Sequence, residues 1–272
     1  MADSRPIGIF DSGLGGLTVM KEIAKKLPNE NIIYFGDTGR VPYGTRSRET
    51  IKKYAVQDEK FLLLNDVKII IAACGTVSAV AADTGDSLPV PFFEVISYAA
   101  KSAVEATKNG KIGVLGTPAT ISSEAHKKRI LSVMPNAKIT AVSCPLFVPL
   151  VEEGWINADN MAVYDTARRY LEPLKAANVD TLILGCTHYP LLSDVIQKIM
   201  GANVTLINMG TSTADAVKNY LTENNMLSGA NNNGTNKFFV SDMTNSFEKT
   251  AEMLLGKKID SNNTEQVDID KI

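Results

Sequence analysis

The chain has few of the residues that most often carry chemistry or cross-links: 272 residues include three cysteines, two histidines and one tryptophan. So few cysteines exclude a disulfide-stapled scaffold. The 28 basic and 30 acidic residues nearly cancel, so the basic surface typical of nucleic-acid-binding proteins is missing. No apolar run approaches the roughly 18 residues of a membrane span, and the first residues lack the pattern of a secretory signal. We therefore expect a cytoplasmic protein that binds neither nucleic acid nor membrane.

Short apolar segments alternate along the chain with longer segments of helical period. Residues 7–10 and 32–35 have the composition of buried strands, and amphipathic helices are predicted over about 14–27 and 47–64. This alternation is typical of a parallel sheet covered by helices, so the sequence predicts an α/β fold.

The second half of the chain repeats the pattern of the first half. Three pairs of segments match in the same order: 66–74 with 178–186, 7–11 with 112–116 and, more weakly, 32–37 with 139–144. The first pair consists of apolar runs that each end in a cysteine, Cys74 or Cys186. The two cysteines therefore occupy equivalent positions in a duplicated unit.

The repeat predicts two similar parallel-sheet α/β domains related by pseudo-two-fold symmetry. Open α/β sheets bind ligands at the carboxyl ends of their strands, so we expect the active site in the cleft between the domains. The expected boundaries are residues 1–97 plus 211–256 for the first domain, 98–210 for the second, and a loose tail over 257–272.

A glycine-rich loop at 11–16 joins the first strand to the first helix. It is similar to a dinucleotide-binding turn, but Thr18 stands at the third fingerprint position, and Asp11 would place a carboxylate beside a pyrophosphate. The backbone N–H groups of the loop could instead hold a small carboxylate.

The five cysteine and histidine residues divide into two groups. His188 follows Cys186 by two residues at the end of an apolar run, and a nearby imidazole can lower the pKa of a thiol or exchange protons with it. Cys74 has no adjacent histidine, so Asp11 on the neighbouring strand is its candidate assistant. Cys144 precedes an apolar stretch and is expected to be buried and inert. His126 lies among charged residues and is expected on the exposed face of a helix.

Two equivalent cysteines suit one reaction class. Inversion of a stereocentre by proton transfer needs a base on one face and an acid on the other, and the reverse reaction exchanges their roles. Paired cysteines would do this without a cofactor. A redox dithiol is the main alternative, but the usual Cys-x-x-Cys spacing is absent, and the close-spaced ligand pairs of structural zinc sites are absent too. We expect no metal.

Several motifs together resemble the glutamate racemase family, within the wider group of cofactor-independent aspartate/glutamate racemases. They occur in family order between residues 6 and 256, and the two cysteine motifs are the most specific. The matching segments are 9–16, 42–44, 73–76, 116–120, 144–146, 152–154, 184–191, 240–242 and 255–256, with Phe247.

The resemblance implies racemisation of glutamate without a cofactor, with D-glutamate supplied for peptidoglycan and hence cell wall synthesis. Cys74 would abstract the α-proton of D-glutamate and Cys186 that of L-glutamate, assisted by Asp11 and His188 respectively. A homodimer is also implied. The substrate contacts implied by position are Asp11, Ser12, Tyr43, Gly44, Gly75, Thr76, Thr117, Thr120, Glu152, Thr187 and His188.

One position departs from the family pattern. Gly75 stands where asparagine is common, so a side-chain amide is missing and only the backbone N–H remains. Two other functions stay open at this point: a racemase for another acidic amino acid such as aspartate, and a two-lobed protein that binds an amino acid without chemistry.

Overall fold

A computed structural model describes residues 2–230, 233–244, 247–259 and 261–272 of the chain. The strands are β1 (Ile7–Asp11), β2 (Ile32–Gly36), β3 (Ile69–Ala72), β4 (Phe92–Glu94), β5 (Lys111–Gly116), β6 (Lys138–Ser143), β7 (Thr181–Leu184), β8 (Thr205–Asn208), β9 (Asn236–Val240) and β10 (Thr264–Gln266). The α-helices are α1 (Leu17–Lys26), α2 (Arg48–Leu64), α3 (Gly75–Val80), α4 (Val95–Ala106), α5 (Pro118–Ser122), α6 (Ala125–Val133), α7 (Phe147–Glu152), α8 (Met161–Ala176), α9 (Ser193–Met200), α10 (Met209–Glu223) and α11 (Phe247–Leu255).

The strands form two separate sheets in which every pairing is parallel. The first sheet has the order β4-β3-β1-β2-β9-β10, and the second has the order β8-β7-β5-β6. The four strands of the second sheet follow the same order as the first four strands of the first sheet. The predicted fold class, two similar parallel-sheet α/β domains, is confirmed.

The strand pairing places the two cysteines at equivalent points. In the first sheet the N–H of Ala73 donates to the carbonyl of Phe10 at 2.8 Å, and in the second the N–H of Gly185 donates to the carbonyl of Leu115 at 2.8 Å. Each bond comes one residue before a cysteine, beside the central strand of its sheet. Parallel strands buried on both faces are apolar, which is why residues 69–73 and 182–185 carry no polar side chain before the cysteine.

Helix α1 begins later than its apolar period suggests. The period starts at Leu14, but the helix starts at Leu17, because the intervening glycines form the turn that follows Asp11. The first orphan N–H groups of this segment are therefore free to point at the strand end. Helix α4 connects the sheets and packs against both α10 and α6, which fixes the two lobes side by side.

The last residues are not the loose tail that the composition predicts. Residues 264–266 form β10, which pairs with β9, and Ile269 is buried with Val267 and Ile272 against the core of the first lobe. The prediction is wrong here because the alternating apolar residues are hidden among Asp, Asn and Lys. Residue 260, within the same predicted tail, lies outside the described residues.

His126 is also not the exposed residue that the sequence predicts. It is 3 % exposed, and neither ring nitrogen has a hydrogen-bond partner among the described residues. It lies four residues before the fully buried Ile130, so it shares the inward face of α6. Within the described ranges, no helix is long and apolar enough to cross a membrane.

Candidate active site

Cys74 lies just after strand β3 and occupies the N-cap position of α3. Its side chain is buried, and its thiol donates to the hydroxyl of Ser12 at 3.5 Å. Burial, and then the negative charge of Asp11, raise the pKa of Cys74 to about 12, against the favourable contact with Ser12. Cys74 is therefore a protonated thiol in this state.

Asp11 ends β1 next to Cys74, where the glycine turn surrounds its carboxylate. Its Oδ2 accepts N–H groups from Gly13 at 3.2 Å and Gly16 at 2.9 Å. A Cβ at Gly16 would lie 2.6 Å from the Cβ of Asp11, so only glycine lets the backbone approach this closely. Burial raises the pKa of Asp11, although these hydrogen bonds and the charge of His188 oppose the shift. The N–H groups of the glycine turn thus bind a carboxylate of the protein itself, that of Asp11.

Cys186 follows β7 and lies beside an imidazole. Its sulfur is 3.8 Å from Nδ1 of His188, whose Nε2 is 3.2 Å from Oε1 of Glu152 at the end of α7. Burial lowers the pKa of His188, but the hydrogen bonds to Cys186 and Glu152 outweigh it and raise the pKa to about 10. The imidazole is therefore a cation at neutral pH. Such a cation stabilises negative charge that develops on a neighbouring sulfur.

The two cysteine segments meet across the boundary between the lobes. The hydroxyl of Thr18 on α1 donates to the carbonyl of Thr187 at 2.8 Å. A Cβ at Gly15 would collide with Thr187 and His188. A Cβ at Gly75 would lie 3.1 Å from the carbonyl oxygen of Gly185, so the residues next to the two cysteines are near neighbours. The lobes therefore bring both thiol segments together at their boundary, and we call this boundary the cleft.

The remaining predicted substrate contacts lie around the same cleft, with one exception. The hydroxyls of Thr117 and Thr120 at the start of α5 are 3.0 Å apart. A Cβ at Gly44 would have Thr76 and Thr117, one from each lobe, as its nearest neighbours at 3.8 and 4.0 Å. Tyr43 differs, because its hydroxyl is buried against Asp37 and Asp58, under α2 and not towards the cleft. The side-chain hydroxyl of Tyr43 is therefore engaged inside the first lobe, and the predicted substrate contact at this position is left to its backbone.

Cys144 is fully buried, as its apolar surroundings predict, with its sulfur 3.6 Å from the carbonyl of Val142. Across the described part of the chain, no group of three or more His, Cys, Asp or Glu side chains could hold a metal ion.

Two contributors to the site were not among the candidate site residues predicted from the sequence, where Thr18 was considered only as part of a dinucleotide-binding turn. Thr18 joins the lobes, and Asp58 holds Tyr43. A signal for Asp58 exists in the sequence: it lies at helical spacing from Ala55 and Leu62, both buried, so a carboxylate interrupts an apolar stripe. Thr18 carries no comparable signal, because its partner is distant in sequence.

Comparison with known proteins supports the family resemblance that the motifs indicate. The family model for Asp/Glu/Hydantoin racemase matches residues 7–217. The chain belongs to this family. It is 46 % identical over 269 residues to the glutamate racemase of Thermoanaerobacter pseudethanolicus, covering 99 % of both chains. It is 45 % identical over 256 residues to that of Geobacter metallireducens, covering 94 % of both.

A solved structure extends the likeness to three dimensions. The glutamate racemase from Francisella tularensis, crystallised in complex with D-glutamate, superposes with a TM-score of 0.91 at 39 % identity, covering 99 % of this chain and all of that one. The family resemblance drawn from the motifs is confirmed, and with it the assignment of the chain to the racemases.

Proposed function

We propose that this protein interconverts L-glutamate and D-glutamate by moving the α-proton between two cysteines on opposite faces of the substrate. The observation that carries the proposal is the placement of Cys74 and Cys186 at equivalent strand ends, with their segments meeting at one cleft. The substrate would bind there, between domains that we assign to residues 1–97 with 211–256 and to residues 98–210.

The choice of glutamate rests on the relatives. Glutamate racemases match over nearly the full length of the chain, and one of the matching structures was crystallised with D-glutamate. D-glutamate formed by the reaction would then supply peptidoglycan synthesis, as the family resemblance implies. Cofactor chemistry is not needed for the steps below, because both proton carriers are side chains of the protein.

The protonation states of the two thiols decide which enantiomer the protein can bind and convert. Cys74 carries its proton in this state, because its pKa is raised to about 12. This form accepts L-glutamate: Cys186 removes the α-proton as a thiolate, and Cys74 donates its proton to the opposite face of Cα. The products are D-glutamate, a Cys186 thiol and a Cys74 thiolate, so the form left behind accepts D-glutamate and runs the reverse reaction.

The two thiols have different assistants, and each has a physical role. The imidazolium of His188 lies 3.8 Å from the sulfur of Cys186 and is held by Glu152 on its far nitrogen, so it can stabilise a thiolate there. Asp11 interacts with Cys74 and is itself fixed by two backbone N–H groups. A buried carboxylate with a raised pKa is suited to exchanging a proton with that thiol.

Racemisation in heavy water tests the proposal directly. Incubation with L-glutamate and no pyridoxal phosphate should yield D-glutamate that carries deuterium at Cα, detected by chiral chromatography and by loss of the α-proton NMR signal. Aspartate is assayed in parallel. Turnover of aspartate alone would assign the other substrate, and binding without exchange would leave a non-catalytic binding protein.

Three single cysteine variants test the two-thiol mechanism. Cys74→Ala and Cys186→Ala should each abolish racemisation, because either one removes the proton carrier on one face of Cα. Cys144→Ala is the matched control, since that thiol is buried against the carbonyl of Val142 and has no part in the proposed transfer, and it should keep most of the activity. Near-normal turnover by either of the first two variants would end the mechanism.

A further inference from the structure

A buried polar cluster lies beneath helix α2. Its members are Asp37, Arg40, Tyr43 and Asp58, and both carboxylates are fully buried. Nothing in the proposed proton transfer uses these groups. Because buried polar groups are costly unless they are paired, the contacts within the cluster need an explanation.

Every member of the cluster has a defined partner, although Oδ1 of Asp37 has none among the described residues. Arg40 donates from Nε to Oδ2 of Asp37 at 2.6 Å and from Nη2 to Oδ1 of Asp58 at 3.1 Å. Its third nitrogen, Nη1, donates to Oε1 of Gln57 at 2.6 Å. The hydroxyl of Tyr43 lies between Oδ2 of Asp37 and Oδ2 of Asp58, which is 3.0 Å away.

A count of protons fixes the state of Asp58. The Tyr43 hydroxyl has one proton but touches two carboxyl oxygens, so two ionised carboxylates would leave one contact between two lone pairs. One of the two oxygens that touch Tyr43 must therefore carry a proton. Oδ2 of Asp37 already accepts from Nε of Arg40, whereas Arg40 contacts Asp58 through Oδ1, so the proton belongs on Oδ2 of Asp58. Asp58 then donates to Tyr43, and Tyr43 donates to Asp37. Arg40 meanwhile balances the single remaining negative charge. Burial, together with the charge of Asp37, raises the pKa of Asp58 well above its usual range, in agreement with this count.

The cluster supports a turn at the cleft. Tyr43 begins the 3-10 turn Tyr43–Thr45, and the next residue, Gly44, faces Thr76 of one lobe and Thr117 of the other. Tyr43 also packs against the ring of Tyr54 at a centroid distance of 5.3 Å. The hydroxyl of Tyr43 is thus anchored inside the first lobe while its backbone borders the cleft.

We propose that Asp58 is a positioning residue: as a hydrogen-bond donor to Tyr43 it holds the backbone of Tyr43 and Gly44 at the substrate cleft. The claim that this turn contacts the substrate rests on the proposed function. The hydrogen-bonded chain from Asp58 through Tyr43 to Asp37 does not depend on it.

Replacement of Asp58 by asparagine or leucine separates this role from a merely structural one. Asparagine can donate from Nδ2 to Tyr43 and accept at Oδ1 from Arg40, so Asp58→Asn should keep KM and kcat within about twofold of the wild type. Asp58→Leu removes both bonds and should raise KM about tenfold with little change in kcat, because binding of substrate and transition state is weakened alike. Tyr43→Phe, which removes only the hydroxyl, should raise KM similarly.

The double variant Asp58→Leu with Tyr43→Phe should raise KM no further than either single change, since both act through one bond. Circular dichroism and thermal unfolding establish that each variant is folded. If Asp58→Asn raises KM as much as Asp58→Leu, the neutral donor is refuted. If a folded Tyr43→Phe or Asp58→Leu keeps a normal KM, the positioning role is refuted.

One measurement is independent of the reaction. Infrared difference spectra of the wild type against Asp58→Asn should show the carbonyl stretch of a protonated carboxyl group in the wild type only. This band is expected even if the wild type fails to racemise glutamate, so failure of the proposed function and failure of the Asp58 assignment are distinguishable. Absence of the band would overturn the assignment.

Discussion

His126 makes a specific contribution to the pH dependence of stability. Burial lowers the pKa of its imidazole to about 4, from 6.5 in its absence. In the unfolded chain His126 is therefore protonated below pH 6.5, whereas in the folded protein it stays neutral down to about pH 4. The folded state loses stability across this window as the pH falls, and the shift corresponds to a total of about 3 kcal/mol.

The perturbation that exposes this contribution is His126→Phe, which keeps a planar ring in the same space without a titrating group. We expect the free energy of unfolding of the variant, relative to the wild type, to increase by about 3 kcal/mol between pH 7 and pH 4. The assay is urea unfolding followed by circular dichroism at steps of pH. The substrate is not needed.

The difference between the two proteins is the quantity to measure, because other groups titrate in the same window. Burial raises the pKa of Glu59 to about 7, even though Thr84 donates to its carboxylate. Between its ordinary value of 4.5 and about pH 7 the unfolded chain has released this proton while the folded protein still holds it, so stability falls as the pH rises across this range. Acidification therefore stabilises the protein through Glu59 and opposes the effect of His126. This contribution cancels in the difference.

Lys128→Gln, an exposed neighbour on the same helix, is the matched control and should give a difference that is flat with pH. A flat difference for His126→Phe as well would refute the reasoning, since it would mean that the imidazole keeps its ordinary pKa in the folded protein.

Three further predictions follow from individual contacts. Gly185→Ala should lower the free energy of unfolding by about 1–3 kcal/mol in urea titrations, because its Cβ would meet the carbonyl of Leu115 and the His126 ring. Ile269→Ala should cost about 2 kcal/mol or more by the same assay, because a buried side chain is truncated. Glu152→Gln should move the alkaline limb of the pH–rate profile to lower pH, because the Glu152 carboxylate helps to hold His188 protonated up to a pKa of about 10.

Each of these predictions has a contrary result. Wild-type stability for Gly185→Ala would mean that the strand end has room for a side chain. An unchanged unfolding curve for Ile269→Ala would restore the loose tail that composition predicts. If the alkaline limb of Glu152→Gln lies at the same pH as that of the wild type, the limb does not report deprotonation of His188.

The strand ends that carry the two cysteines could be predicted because their signal is local. An apolar run that ends in a cysteine occurs twice, and the order of the matching segments predicts two similar sheets. Because buried parallel strands are apolar, these runs can be recognised in one sequence alone. His188 could be predicted for the same reason, since it lies only two residues from Cys186.

The wrong and the missing predictions concern residues whose surroundings depend on packing between distant segments. His126 is flanked by charged residues, and its burial depends on its spacing from Ile130. Thr18 meets Thr187 only because two lobes close on each other. Asp58 interrupts an apolar stripe, but its partners Arg40 and Tyr43 come from a turn whose path cannot be read from periodicity.

The path of the chain between the two sheets bears on how the protein is synthesised. The second sheet uses one continuous stretch, from β5 to β8, whereas the first sheet receives β9 and β10 only after that stretch is complete. On the ribosome, the strand β2 therefore stands as an open edge until residues 236–240 have emerged, with its N–H and carbonyl groups unpaired on that side. The lobe that begins the chain is thus the last to be finished, and a nascent chain stalled before that point would expose a strand edge capable of pairing with other chains.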